Sequence, residues 1–332
     1  MRLVISGVSK EYPQGLTVKE LLEAEKVATP EYVTVALNDA LVDIGQFAAT
    51  VLKDGDSVEF LYYMGGGALS EEELRRYSRN IILKEVGLKG QKRLAAGKVL
   101  VIGAGGLGSP ALFYLAAAGV GVLGIADGDS VDLSNLQRQI LHGAADVGKK
   151  KTRSAEESLR ALNPQIRLRV HEGLARADNI LDLIADYDFV IDGTDNFAAK
   201  FLINDACVLA GKPFSHAGII RFTGQLLTYV PGRGPCYRCL FQNPPPPGAI
   251  PTCREAGVIG ALAGTIGTLQ AMEAMKYLMG IGELLTGALL THDALNMDFR
   301  KIKVAARPGC AVCGERPTIL EPRDYENPAC EL

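Results

Sequence analysis

Lys98-Val99-Leu100-Val101-Ile102-Gly103-Ala104-Gly105-Gly106-Leu107-Gly108 is the stretch that decides the fold. A short, continuously apolar run passes straight into a glycine-rich turn, and Ser109–Ala118 beyond it has helical character. Gly103, Gly105, Gly106 and Gly108 let the backbone turn tightly and approach a phosphate, while a helix N-terminus supplies unpaired N–H groups. A second apolar run, Val122–Ala126, leads to Asp127, 22 residues beyond Gly105, where an acid would hydrogen-bond a ribose. Further strands are expected at Arg167–His171, Phe189–Ile191 and Leu226–Tyr229. Strands alternating with helices argue for an α/β, Rossmann-like and mostly parallel sheet with both faces covered.

Taken alone, this fingerprint reads as an NAD-dependent oxidoreductase, or as glycines that merely ease strand–helix packing. The segment after it shifts the balance. Asp129, Asp132, Ser134-Asn135-Leu136-Gln137-Arg138-Gln139 and Lys151 form a dense polar and cationic stretch just beyond the ribose position. NAD needs little cationic help, whereas a triphosphate attacked at its α-phosphorus needs positive groups and Mg²⁺ to hold developing charge. Arg138 and Lys151 suit that task, and Asp195, in Asp192-Gly193-Thr194-Asp195-Asn196, is positioned to bind the metal at a strand's C-terminal end. A solvated charged loop is the alternative, and for Lys149 and Lys150 it is the preferred reading. The expectation is a pocket over residues 98–195 that uses ATP to activate a carboxylate.

The chain has 332 residues, which makes two domains the default. Residues 1–67 read as a small α+β unit of β-grasp (ubiquitin-like) type. Arg2–Ser6 alternates like a strand, and Thr17 to Glu20 forms a capping box at a helix start. Val33–Leu37 and Ala40–Val42 flank an Asn38-Asp39 turn, and Ser57–Tyr63 is a last β-rich run. The unit closes on Met64-Gly65-Gly66-Gly67, where three glycines oppose regular structure. Ser70-Glu71-Glu72-Glu73 then caps a new helix, so the boundary is placed between Gly65 and Ser70, with a second domain over 68–332.

Net charge is −3, with no long basic run, so neither a nucleic acid nor a membrane is expected as partner. The opening residues lack the pattern of a signal peptide, and the most apolar stretch, Val258–Met279, carries Gln270, Glu273 and Lys276. A cytoplasmic protein is expected.

Seven cysteines are present. Cys236-Tyr237-Arg238-Cys239 and Cys310-Ala311-Val312-Cys313 are two C-x-x-C pairs about seventy residues apart. Four thiolates on one tetrahedral Zn²⁺ leave no open position, so the metal would be structural; two separate redox pairs are the alternative. Cys253, beside Arg254 and ahead of a long helix, is placed to have a lowered pKa, though an inert loop cysteine fits equally well. Cys207 reads as core, and Cys330 as part of a polar tail.

Together these residues resemble the ThiF/MoeB/HesA family, bacterial relatives of ubiquitin-activating enzymes. The resemblance rests on Arg75-Arg76-Tyr77-Ser78-Arg79, the glycine loop, Ser134–Arg138, Lys151, Thr194-Asp195-Asn196, both C-x-x-C pairs and Thr252–Gly257. It implies an adenylyltransferase that acts on the C-terminal glycine of a ubiquitin-like sulfur carrier. By the same resemblance Gly106, Asp127, Asn135, Arg138 and Lys151 contact ATP, and Asp195 serves Mg²⁺ and catalysis. Asp129, Ser134 and Asn196 join the nucleotide-binding set. Arg79 is the residue that reaches into the partner subunit's ATP site, which implies a homodimer, and Cys253 matches a cysteine that in some members forms a covalent link to the carrier.

Residues 1–67 resemble the carriers themselves, the ThiS/MoaD type, which end in Gly-Gly. Carrier and activator are therefore expected in one chain, with Gly67 held in an amide bond to Ala68. Adenylation needs a free carboxylate. Three outcomes follow: a processing protease releases the carrier, the fused domain docks as an inhibitor while a separate carrier is activated, or it is a relic. The given sequence ends at Leu332 without the rhodanese domain that many sulfur-transferring members carry, so a separate sulfur donor protein is expected. A non-catalytic fused module is the remaining alternative.

Overall fold

The computed structural model describes residues 1–5, 7–27, 30, 33–38, 40–61, 69–246, 249 and 256–325. They divide into two compact units, Met1–Arg76 and Tyr77–Leu332.

In the first unit, β1 (Arg2–Ile5), β2 (Val8–Glu11), α1 (Val18–Ala24), β3 (Thr34–Leu37), β4 (Ala40–Val42) and β5 (Ser57–Leu61) form a sheet ordered β2-β1-β5-β3-β4. β1 and β5 pair in parallel and the other neighbours pair antiparallel, the β-grasp arrangement. α1 starts at the expected capping box: the Glu20 amide donates to Thr17 Oγ1 at 3.3 Å, and the Thr17 amide donates to Glu20 Oε2 at 2.8 Å. Such a cap contributes about 1 kcal/mol. Alternation along β1 turns Leu3 and Ile5 inward against Leu21 and Leu22 of α1, with Val35, Phe47 and Val58 closing the core. The strand, strand, helix, strands order is the expected one, but the sequence marks no bounds for β2, because its side chains Val8-Ser9-Lys10-Glu11 are exposed and carry no alternation. Helix α2 (Glu71–Arg76) follows Ser70, whose hydroxyl accepts from the Glu73 amide at 3.2 Å, as the second capping signal predicts. Asp39, Tyr62, Tyr63 and the tail Met64–Gly67 lie outside the described residues.

The second unit opens with α3 (Ser78–Ile81) and α4 (Gly87–Ala96) and then winds around an eight-stranded sheet. Its strands are β6 (Lys98–Ile102), β7 (Val122–Asp127), β8 (Arg167–Glu172), β9 (Phe189–Asp192), β10 (Phe214–Ile220), β11 (Thr223–Tyr229), β12 (Ala288–Asp293) and β13 (Asp298–Lys303), ordered β13-β12-β11-β10-β9-β6-β7-β8. The half from β10 to β8 is parallel, as the apolar runs predict, and β10 to β13 continue it as an antiparallel meander. The helices are α5 (Gly108–Ala118), α6 (Lys151–Leu162), α7 (Ile180–Ala185), α8 (Phe197–Leu209), α9 (Tyr237–Leu240) and a long helix Gly260–Met279.

Strands β10, β12 and β13 were not expected: β10 buries Phe214, Ser215, His216 and Ala217 in succession, and Leu289, Thr291, Arg300 and Lys301 of β12 and β13 give no buried alternation to read. One face of the sheet packs Val99, Val101, Leu123 and Ile125 against α5, α6 and the long helix, and the other packs Leu100, Ile102 and Val190 against α7 and α8. Among the described residues no helix is long and apolar enough to cross a membrane.

Candidate nucleotide site and cysteine cluster

The strand order reverses between β6 and β9, and the loops at their C-terminal ends meet there, the place where open α/β sheets take ligands. Gly103 adopts φ +98° and sits so close to the next loop that a Cβ on it would lie 2.8 Å from the Gly193 carbonyl oxygen. A Cβ on Gly108 would stand 1.8 Å from the Gly103 carbonyl oxygen, so both positions require glycine. The turn thus brings the α5 N-terminus against the end of β9.

Asp127 ends β7 and grips this loop: its Oδ2 accepts from the Ala104 amide at 2.8 Å and its Oδ1 from the Asp129 amide at 2.8 Å. Asp129 in turn pairs with Lys151, Nζ to Oδ2 at 2.8 Å, and the Lys151 side chain is only 7% exposed although it opens α6. Arg138 lies beside the loop, its Cγ 3.4 Å from where a Gly106 Cβ would stand, and its Nη1 donates to the Ser134 carbonyl at 3.1 Å. Ser134 is exposed and its hydroxyl donates to Asp132 at 2.5 Å; Asn135 is half-buried in the same short turn.

At the end of β9 the neighbouring acids have opposite environments. Asp192 is fully buried; its Oδ1 accepts from the Thr194 amide and hydroxyl at 3.0 and 2.6 Å, and its Oδ2 faces His216 Nδ1 at 2.7 Å and Lys200 Nζ at 3.3 Å. Burial alone would raise this carboxyl, but Lys200 and His216 hold it far below the usual carboxylate range. His216 is driven down to about 4 by its own burial and stays neutral. Asp195 is exposed and accepts no hydrogen bond from a described residue, which leaves its carboxylate available. Asn196 instead caps α8, its Oδ1 accepting from the Ala199 amide at 2.8 Å.

The structure therefore brings Gly103, Gly105, Gly106, Gly108, Asp127, Asp129, Arg138 and Lys151 around one loop, with Asp195 at the adjoining strand end. Arg79 is exposed on α3. Cys253 lies outside the described residues. Sequence reading placed Asp192 at this strand end but missed His142, Lys200 and His216 as members of the site's support. His142 and His216 account for two of only four histidines in the chain, and that scarcity was the available signal.

The two C-x-x-C pairs do meet. The Sγ atoms of Cys236, Cys239, Cys310 and Cys313 all lie within 4.8 Å of one another, with Cys236–Cys310 at 3.6 Å and Cys239–Cys313 at 3.5 Å. A tetrahedral zinc with Zn–S near 2.3 Å sets its sulfurs about 3.8 Å apart, so the four thiols fit the ion. Hydrogen bonds from Cys236 and Cys313 hold the Cys310 thiol well below the ordinary thiol range, and the Arg307 amide donates to Cys239 Sγ at 3.3 Å. Between the first two cysteines, Arg238 makes a forked pair with the buried Asp205, Nε–Oδ1 2.6 Å and Nη2–Oδ2 2.9 Å, and Tyr325 donates to the same carboxylate at 2.7 Å. This pins the knuckle to α8.

A ThiF family model matches residues 77–312 and a ThiS family model residues 4–67. MoeZ of Mycobacterium tuberculosis, described as a probable adenylyltransferase/sulfurtransferase, is 51% identical over 263 residues, covering 78% of this chain and 66% of its own length. The chain thus spans just under two thirds of that relative. A Thermus thermophilus sulfur carrier protein adenylyltransferase is 49% identical over 262 residues, 77% of this chain and 97% of its own. Escherichia coli MccB shares the fold with a TM-score of 0.66 over 75% of each chain at 24% identity. With most of its length matched, the chain belongs to the ThiF family and carries a ThiS family domain ahead of its ThiF region.

Proposed function

We propose that the second unit adenylates the C-terminal glycine of a ubiquitin-like sulfur carrier. The observation that carries this reading is the convergence of a glycine turn, a helix N-terminus, two cations and a free carboxylate on one switch point of the sheet. The carrier's carboxylate oxygen attacks the α-phosphorus of ATP, the bond from that phosphorus to the bridging oxygen breaks, and pyrophosphate leaves with the electron pair. The α5 N-terminus and the glycine-loop amides receive the phosphates. Lys151, released from Asp129, and Arg138 stabilise the charge that builds on the phosphoryl oxygens. Asp127 orients the ribose as well as the loop. Asp195 would hold Mg²⁺, which when bound neutralises charge on the phosphates. Zinc at Cys236, Cys239, Cys310 and Cys313 is structural.

The activator works as a cytoplasmic homodimer in which the partner's Arg79 completes the site, and a separate protein donates the sulfur. Residues 1–67 form the carrier domain and 68–332 the activating domain. The carrier is either a separate protein or the chain's own first unit after a protease cuts behind the glycine tail. An amide at Gly67 offers no carboxylate to attack the α-phosphorus, so the uncut chain cannot adenylate itself. That amide also supports a second reading, in which the fused domain docks as an inhibitor.

Radiolabelled pyrophosphate exchange into ATP, driven by a free Gly-Gly-ending carrier, tests the proposal. Exchange is expected in the wild type and a loss of about 10²–10³-fold in Asp195→Ala. Undiminished exchange in that variant, or none in the wild type, would overturn it. Cys253→Ala should leave exchange intact, since adenylation precedes any covalent step at a thiol.

A further inference from the structure

His142 takes part in no step of the reaction above, yet it joins the pieces that would perform it. Its side chain is buried, 6% exposed, between the arm that carries Ser134–Arg138, the glycine loop and α6. Nε2 lies 2.9 Å from the Ala104 carbonyl oxygen, and Nδ1 lies 2.8 Å from Ser154 Oγ. A carbonyl only accepts, so in the neutral ring Nε2 carries the proton and Nδ1 faces Ser154 Oγ, whose hydroxyl also lies within hydrogen-bond reach of the Asp146 carboxylate. Burial lowers the pKa of this imidazole and so favours that neutral form.

The peptide groups flanking Ala104 are consequently held from both directions: the amide by Asp127 at 2.8 Å and the carbonyl by His142. Ser154 sits one turn after Lys151 on α6, so the same ring ties the phosphate loop to the helix that presents the lysine. The segment from Ser134 to His142 carries Arg138 against Gly106.

We propose that His142 is a positioning residue that sets the glycine loop, the Lys151 helix and the Arg138 arm in one register for ATP. The inference rests on the adenylation reading only for the identity of the reaction; ATP binding tests it directly. Binding sites of this kind need their groups held to about half an ångström, and a displacement of about 1 Å costs on the order of a hundredfold in rate.

ATP affinity measured by calorimetry, together with KM and kcat in pyrophosphate exchange, separates the outcomes in the full chain. His142→Ala should weaken ATP binding by about tenfold and lower kcat by about a hundredfold. Glutamine places its amide near Nε2 and should recover more ATP affinity in His142→Gln than asparagine does in His142→Asn, because only the former reaches the loop carbonyl. Ser154→Ala, which leaves the loop bond in place, should lower kcat with little change in ATP affinity. It also keeps the test alive should His142→Ala fail to fold.

A merely structural histidine would lower the melting temperature while the folded variants bind ATP and turn over like the wild type, and that result overturns the proposal. A wild type that binds ATP without exchange removes the adenylation reading and leaves the affinity series to decide on His142. A wild type that binds no ATP overturns both.

Discussion

Among the described residues, every side chain buried in the unit Met1–Arg76 is apolar, whereas nineteen polar or charged side chains are buried in the unit Tyr77–Leu332. Burying a polar group costs free energy unless it is fully partnered, so a core that needs only stability avoids it. The second unit accepts that cost in particular places. His142, Lys151, Thr152 and Ser154 lie behind the glycine loop, Asp192, Lys200 and His216 under the Thr194-Asp195 turn, and Asp205 with Arg238 beneath the cysteine knuckle. The polar core is a map of what must be held still. Among its described residues the β-grasp unit buries no polar side chain.

The difference is open to direct attack, and the largest effect is expected at Asp192. Asp192→Asn removes the counter-charge of Lys200, whose side chain is 7% exposed, and weakens the acceptor for His216. Breaking one partner of a buried pair costs about 3–5 kcal/mol. Chemical denaturation should show that loss in the second unit, and the double variant Asp192→Asn/Lys200→Met should regain much of it. A loss below about 1 kcal/mol in the single variant would mean the buried ions are not holding the turn.

The matching experiment in the first unit is Leu21→Ala. Leu21 is fully buried against Leu3 and Val35, and truncation to alanine should cost about 3 kcal/mol through lost burial and a cavity. The transition of the second unit should stay where it is. A shift of both transitions together would show that the two units do not unfold independently.

Zinc removal comes next. Metal analysis should find one zinc per chain, lost in Cys310→Ser. Free zinc at a hundred times its dissociation constant stabilises by about 2.7 kcal/mol, so chelation should lower the second unit's stability by at least that much and leave the first unit unmoved. Two chelator-insensitive disulfides in place of the metal would sink the zinc assignment.

What was legible in the sequence follows the same divide. Apolar periodicity, capping pairs and glycine turns report on local geometry, and they located β6, β7, α5, both capping boxes and the β-grasp order. Asp127 and the four cysteines were legible by spacing, and Lys151 by its place in a polar, cationic stretch just beyond Asp127. Buried polar networks have no spacing: His142 and Ser154 are twelve residues apart, His142 and Ala104 thirty-eight, and only the fold joins them. Arg238 was visible only as the residue between two cysteines, while its partners Asp205 and Tyr325 are thirty-three and eighty-seven positions away. Strands β10, β12 and β13 were hidden for another reason: β10 buries four consecutive residues, β12 is half-buried nearly throughout and β13 is largely exposed, so hydrophobic alternation never marks them.

The smallest effect should come from the first unit's own polar contacts, which lie at its surface. Glu25 ends α1, where its Oε2 takes the Lys10 ammonium at 2.5 Å and its Oε1 takes the Tyr12 hydroxyl. The Lys10 hydrogen bond, followed by that of Tyr12, lowers the Glu25 pKa from its ordinary 4.5, against a smaller opposing effect of burial. A carboxyl whose folded pKa lies below its unfolded one adds stability that is fully present above the unfolded value. That stability disappears as pH falls through the folded value. Glu25→Gln should therefore cost the first unit about 1 kcal/mol or less at pH 7, because Lys10 is 44% exposed and water and salt screen the pair. The difference between variant and wild type should shrink from about pH 4.5 downward and diminish in high salt. Denaturation midpoints across that range measure it. A cost that persists at pH 2, or one as large as that of Asp192→Asn, would show that the carrier-like unit relies on a buried charge after all and would collapse the contrast between the two units.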